Sequence, residues 1–194
     1  MLIALIAGSM MGTMPVAQFA PRMLDVSQAS VLAATTAPMV TWADLFVDTA
    51  GRVGRCTTAV SSGSSLVDRV ACDRAMRFAR FVPARDEDGQ PVAALVRQGF
   101  AVNRAMPPPE VDFALTVDRA PPGAVADLRV VADPAGKVLT CAIDRSSGVA
   151  ALDTLACDAV FGVVRTVVRD ASGVPVRGMS RASVGFVSGA IATR

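Results

Sequence analysis

The chain has 194 residues and a mass of 20.0 kDa, with 52% hydrophobic residues and a formal charge of +2 from 19 basic and 17 acidic side chains. That is enough apolar material for one medium domain or two small ones, and too balanced a charge for a surface that grips nucleic acid. Histidine and tyrosine are both absent and Lys137 is the sole lysine. Ser-His-Asp and Cys-His catalysis and imidazole metal sites are therefore excluded.

Residues 1–21 carry no charged side chain, and the first charge is Arg22. The run Met1–Met14 has the length of the apolar centre of a secretory signal, and Ala17 and Ala20 are small enough to mark cleavage. We expect a leader over 1–20 and a linker over 21–41. The competing expectation is a retained anchor, with contact to a membrane only in that case.

The rest of the chain is a repeat. Asp48, Gly51, Cys56, Gly63, Asp68 and Cys72 recur as Asp133, Gly136, Cys141, Gly148, Asp153 and Cys157, each 85 positions later. Pro91 and Arg97 recur as Pro175 and Arg181, 84 positions later. The expected units are 42–105 and 112–188, with a Pro-rich hinge at 106–111 and a tail at 189–194.

Each unit reads alike. Alternating runs at Trp42–Val47 and Val53–Val60 flank the turn Asp48-Thr49-Ala50-Gly51. Leu128–Ala132 and Val138–Ile143 flank Asp133-Pro134-Ala135-Gly136, and both pairs predict hairpins. Ser-Ser-Gly breaks each strand, and Ser65 with Asp68 is spaced as a capping box. Val67, Ala71, Ala75 and Phe78, and then Leu152, Ala156, Val160 and Val163, form the apolar stripe of a helix laid on a sheet. Turns at Asp88-Gly89-Gln90-Pro91 and Ser172-Gly173-Val174-Pro175 lead into last strands near Val92–Val102 and Pro175–Val187. Phe113–Val117 adds a strand at the start of the second unit.

Cys56 and Cys72 lie sixteen residues apart, as do Cys141 and Cys157. Four cysteines allow three pairings, and the duplication favours one bridge inside each unit. Closing a loop of about 15 residues contributes about 3 kcal/mol in the chain-entropy account. Neither the Cys-x-x-Cys of a redox couple nor the close pairs of a zinc site are present. Bridges imply an oxidising compartment, in line with the leader.

Other motifs have plain readings. Ser61-Ser62 and Ser146-Ser147 read as helix caps rather than nucleophiles, and Lys137 sits at a hairpin tip where the first unit has Arg52. Asp86-Glu87-Asp88-Gly89 lacks the full ligand loop of a calcium site and reads as a solvated turn. Trp42 and Phe46 share a strand face, as core residues or as an exposed aromatic patch. No cofactor and no metal is expected, and the expectation is not an enzyme. A secreted envelope enzyme is the remote alternative.

The order D-x-x-G-[RK]-V-x-x-C, S-S-G, D-x-x-x-C and R-F-V-P-A-R-D-x-D-G-Q-P-V resembles the TonB C-terminal domain family, in its cysteine-bearing branch. Cys56, Ser61, Ser62, Gly63, Asp68, Cys72, Arg80, Phe81, Pro83, Ala84, Arg85, Asp86, Gly89, Pro91 and Val92 carry the likeness. The second unit matches through Cys157 and departs at Arg165–Asp170. The resemblance implies an α+β fold of two tandem units, each a helix packed on a small antiparallel sheet, and a periplasmic location. It also implies a partner in the envelope, such as an outer-membrane receptor peptide, gripped by strand addition. The edge of the last strand is expected to do this, with Leu95, Arg97, Phe100 and Arg181 as its residues. A homodimer by strand exchange is a further expectation. The alternative is a membrane-anchored energy transducer for outer-membrane receptors. Residues 21–41 reach only about 65 Å fully extended, too short for the spacer of such a transducer, so a soluble duplicated relative is expected.

Overall fold

The computed structural model describes residues 17–18, 37–102, 111–162 and 167–189. The described residues are mixed α+β, with one large sheet, two helices and two disulfides. The first half supplies the hairpin β2 (Met39–Val47) and β3 (Val53–Val60), the helix α1 (Ser65–Phe78), the short strands β4 (Arg80–Phe81) and β5 (Ala84–Arg85), and the long β6 (Pro91–Val102). The second half supplies β7 (Phe113–Val117), the hairpin β8 (Val125–Ala132) and β9 (Val138–Arg145), α2 (Ala150–Phe161) and β10 (Gly178–Ser188). Ahead of these, β1 (Ala17–Gln18) pairs with β4.

The turns are built by one device. Asp48 Oδ1 accepts from the amides of Ala50 and Arg52, and Gly51 follows at φ 78°. Asp86, Asp133 and Asp170 repeat this, each with a glycine three residues on at positive φ. A carboxylate that satisfies two turn amides, followed by a left-handed glycine, closes a hairpin with little strain. The later turns therefore begin at Asp86 and Asp170, not at the expected Asp88 and Ser172.

The helix starts also differ from the expected box. Ser64, not Ser65, is the N-cap of α1, and Val149 holds that place in α2. Gly63 and Gly148, at φ 86° and 88°, fold the Ser-Ser pair back over the first helical turn. Asp68 then accepts from Ser61 Oγ, Ser62 Oγ and the Ser62 amide, and Asp153 accepts from Ser146 and Ser147 in the same way. The buried stripe is Val67, Ala71 and Ala75 in α1, and Leu152, Ala156 and Val160 in α2. Phe78 is instead exposed, with Arg74 over its ring, and Val163 lies outside the described residues.

The two expected small sheets are fused. The strand order is β3-β2-β6-β10-β8-β9, with β5 also on β6 and β7 on β10. Within the first half the pairing is antiparallel, and within the second β8 pairs antiparallel with β9 and β10 while β7 runs parallel to β10; the halves join by parallel pairing of Gly178, Met179 and Ser180 with Ala93, Ala94 and Leu95. Unpaired backbone groups on two last strands are costly if buried, and each strand satisfies the other's. Met179 packs with Ala75, Ala79 and Ala94 under α1, whereas Ala182, Val184 and Phe186 pack under α2. Because alternate residues point to opposite faces, α1 and α2 lie on opposite faces of the one sheet.

A small third cluster seals the joint. Phe46 and Leu95 of the first half bury Val168 of the second, beside Ala93 and Val176. Asp86, itself buried, pairs with Arg177 across the joint at 2.7 Å. The expected solvated turn at Asp86–Gly89 thus has its first carboxylate inside the protein. Phe46 is core, while Trp42 on the same face is half-buried.

Boundaries shift accordingly. β2 begins at Met39, inside the expected linker, because Met39 to Thr41 pair with Val102 to Phe100. The hinge, apart from Val111, and the tail, apart from Gly189, lie outside the described residues, as does the leader apart from β1.

Candidate functional site

The outermost strands of the sheet path are β3 and β9. Each is stapled to the helix above it: Cys56 of β3 to Cys72 of α1, and Cys141 of β9 to Cys157 of α2. Both bridges are within a half, as the duplication favoured. The staple matters because an edge strand has ladder bonds on one side only and frays first. Here a covalent link holds each edge in an extended form. The start of the β3 edge carries β4: Arg52 bridges Arg80, and the Phe81 amide donates to Gly51 O. From Gly54 to Val60 no strand among the described residues pairs with the outer side of β3.

The last strands occupy the centre of the sheet instead. β10 has β8 on one side and β6, then β7, on the other. The residues expected to form a binding edge are therefore not gathered at one. Leu95 is buried and paired with Ser180. Arg97 clamps Asp44 with two bonds, Nε to Oδ1 at 2.7 Å and Nη2 to Oδ2 at 3.1 Å. Phe100 packs against the α1 core, on the face opposite to Arg97. Arg181 lies directly across from Arg129, and Asp144 of β9 bonds Arg181 at 3.3 Å and reaches Arg129 at 3.5 Å.

Arg97 and Arg181 are equivalent in the repeat but have different partners. Asp44 of the first half aligns with Arg129 of the second, so the opposing charge comes from a third strand, at Asp144. Periodicity could not reveal this. The sign change between Asp44 and Arg129 was the available signal.

Charge is distributed unequally between the halves. In the second half Arg129, Arg145, Arg177 and Arg181 all have carboxylate partners. In the first half Arg52, Arg55 and Arg80 have none among the described residues. Arg55 lies over the Phe46 ring, 5.9 Å from its centroid, and Arg80 donates to Ala79 O. Arg55 lies on the open part of β3 and Arg52 and Arg80 at its start; sequence reading named Arg52 and Arg80 only at a hairpin tip and in the family likeness, and did not single out Arg55.

Three carboxylates are held below their ordinary value of 3.8. Burial raises Asp68, but bonds from Ser61, Ser62 and Thr41 outweigh it. The same balance of burial against Ser146 and Ser147 lowers Asp153. For Asp86 the largest cause is the bond from Arg177; burial opposes it, and the Gln90 and Asp88 amides add to it. A lowered carboxylate stabilises the fold fully above pH 3.8, and this contribution is lost as pH falls through the lowered folded value. Stability should therefore drop on acidification below about pH 4, and Asp68→Asn should flatten that drop and cost about 0.5–2 kcal/mol at neutral pH. Urea melts across pH 2–7 check both.

No three histidine, cysteine or acidic side chains among the described residues are placed to hold a metal ion. No described helix is long and apolar enough to cross a membrane. Comparison with protein-family models, with curated proteins and with solved structures finds no match to this chain.

Proposed function

We propose that this protein is a non-enzymatic interaction module of the periplasm, a duplicated relative of TonB C-terminal domains. It takes up an extended segment of an envelope partner, such as an outer-membrane receptor peptide, as an added strand. The observation that carries this reading is the pair of outer strands, β3 and β9, each pinned to its helix by a disulfide. A pinned edge is already in the bound conformation, so a partner chain orders only itself when it pairs. The repeated motif with its cysteines supports the family reading, and the bridges support an oxidising compartment. Two outer edges remain for the partner, because the last strands are used to join the halves.

The test is a titration of the oxidised protein with receptor N-terminal peptides, read by amide chemical shifts. Shifts along Val53–Val60 or Val138–Arg145 are expected, and backbone N-methylation of the peptide should abolish them. Tight binding with no shift on either strand would overturn strand addition. The intact mass of protein from its host, with and without reductant, tests the compartment. Loss of the leader and four missing hydrogens are expected; free thiols would count against the periplasm.

A further inference from the structure

We infer that β3, and not β9, is the edge that receives the partner, and that the partner segment is acidic. This rests on the strand-addition reading above and narrows it to one edge and one chemistry. The open edge of β3 runs from Gly54 to Val60, and Arg55 lies on it. Its start is bounded by Arg52 and Arg80, which face each other across a β-bridge. Like charges directly opposite on paired strands repel, and both side chains are exposed. The carboxylates that flank β3 in the chain are committed elsewhere, and Asp170, which heads the turn beside Arg55, accepts from the Ser172 and Val174 amides. Asp48 accepts from the Ala50 and Arg52 amides, and Asp68 accepts from Ser61 and Ser62. The Arg55 guanidinium lies over Phe46 with Nη1 beside Gly173; the ring contact engages the face of the guanidinium rather than its N–H donors.

The duplicate keeps a cation at the Arg52 position, as Lys137, and at the Arg80 position, as Arg165, but has lost the one on the edge strand itself: Arg55 corresponds to Thr140, and Arg69 on α1 corresponds to Thr154 on α2. Of the β9 charges, Asp144 and Arg145 are already in ion pairs. The β9 edge offers exposed Leu139 where β3 has Gly54. A strand added to β3 would place its side chains within about 5 Å of Arg55, close enough for a carboxylate to reach the guanidinium. It would also place an end against the Arg52–Arg80 pair and relieve their repulsion. A neutral segment gains neither.

The experiment uses the full oxidised chain and two short synthetic peptides of alternating threonine and valine, one with two glutamates and its twin with two glutamines. At low salt the glutamate peptide should bind about five- to tenfold more tightly, and the ratio should shrink as salt is raised. Its amide shifts should run along Arg55–Val60. The double variant R55Q/R80Q, changed at two exposed positions, should lose the preference while keeping its affinity for the glutamine peptide. Equal affinity for the two peptides, or shifts confined to Val138–Arg145, would overturn the assignment of the edge and leave strand addition standing. Failure of both peptides and of the receptor peptides to bind would overturn strand addition and this inference together.

Discussion

Replacing Cys141 and Cys157 by alanine should lower the stability of the protein by about 3 kcal/mol, within a range of about 2–5. The bridge closes a separation of 16 residues between an edge strand and its helix. Without it, the unfolded chain regains the freedom that the link denied. β9 is then held by β8 alone on its ladder side and by the packing of Ile143 against the core under α2. A loss of this size should lower the midpoint of thermal unfolding by about 6–12 °C for a chain of this length. The same change at Cys56 and Cys72 should cost a similar amount, because that bridge has the same separation. The two pairs border different core clusters, so their costs should add. Denaturant melts of the two double variants and the quadruple variant measure this. Amide exchange should also quicken along the released edge strand in each case. A loss below about 1 kcal/mol would mean that strand–helix packing alone fixes the edges, and the preorganisation argued above would fail with it.

Gly178→Ala should be the most damaging single-methyl change in the sheet. Gly178 pairs with Ala93 on one side and Ala132 on the other, at the joint of the two halves. A Cβ there would lie 2.6–2.9 Å from three side-chain atoms of Val168. Val168 is itself 2% exposed and held by Phe46 and Leu95, so it has nowhere to move. Overpacking at such a site costs about 1–3 kcal/mol. Val168→Ala alone should cost about 1–3 kcal/mol through the cavity it leaves. The double variant should be less destabilised than the sum of the two, by at least about 1 kcal/mol, because each change makes room for or fills the other. Additive costs would show that the close approach at Gly178 is not what seats the second half on the first. Amide exchange at Ala93–Leu95 and Gly178–Ser180 should report the opening directly, since these residues carry the parallel pairing.

Much of this molecule was legible in the sequence because it is local. The alternation of Val53–Val60 and the Asp-x-x-Gly turns specify hairpins within a few residues. The Ser-Ser-Gly-x-x-x-x-Asp run specifies a helix start, though the serines cap through Asp68 rather than by the expected box. The cysteines, sixteen apart in each copy, pair within each half because strand and helix are neighbours in the chain as well as in space. All of these contacts have low closure entropy, so short-range pattern suffices to encode them.

The sequence by itself therefore determined two hairpin–helix–strand repeats, each with its bridge and without the residues of histidine chemistry. Only the tertiary structure decided which strands are edges. Every residue of a strand carries the same N–H and C=O, and nothing in the side-chain pattern marks which side of a strand will find a partner. Both last strands looked available, yet β6 and β10 satisfy each other and leave β3 and β9 outside. The partners of Arg97, Arg181 and Asp86 were hidden for the same reason. Asp44 lies 53 residues from Arg97, Asp144 lies 37 from Arg181, and Arg177 lies 91 from Asp86. Such pairs exist only once the halves have docked, and the docking rests on a glycine that lets Val168 approach and on three residues of parallel ladder.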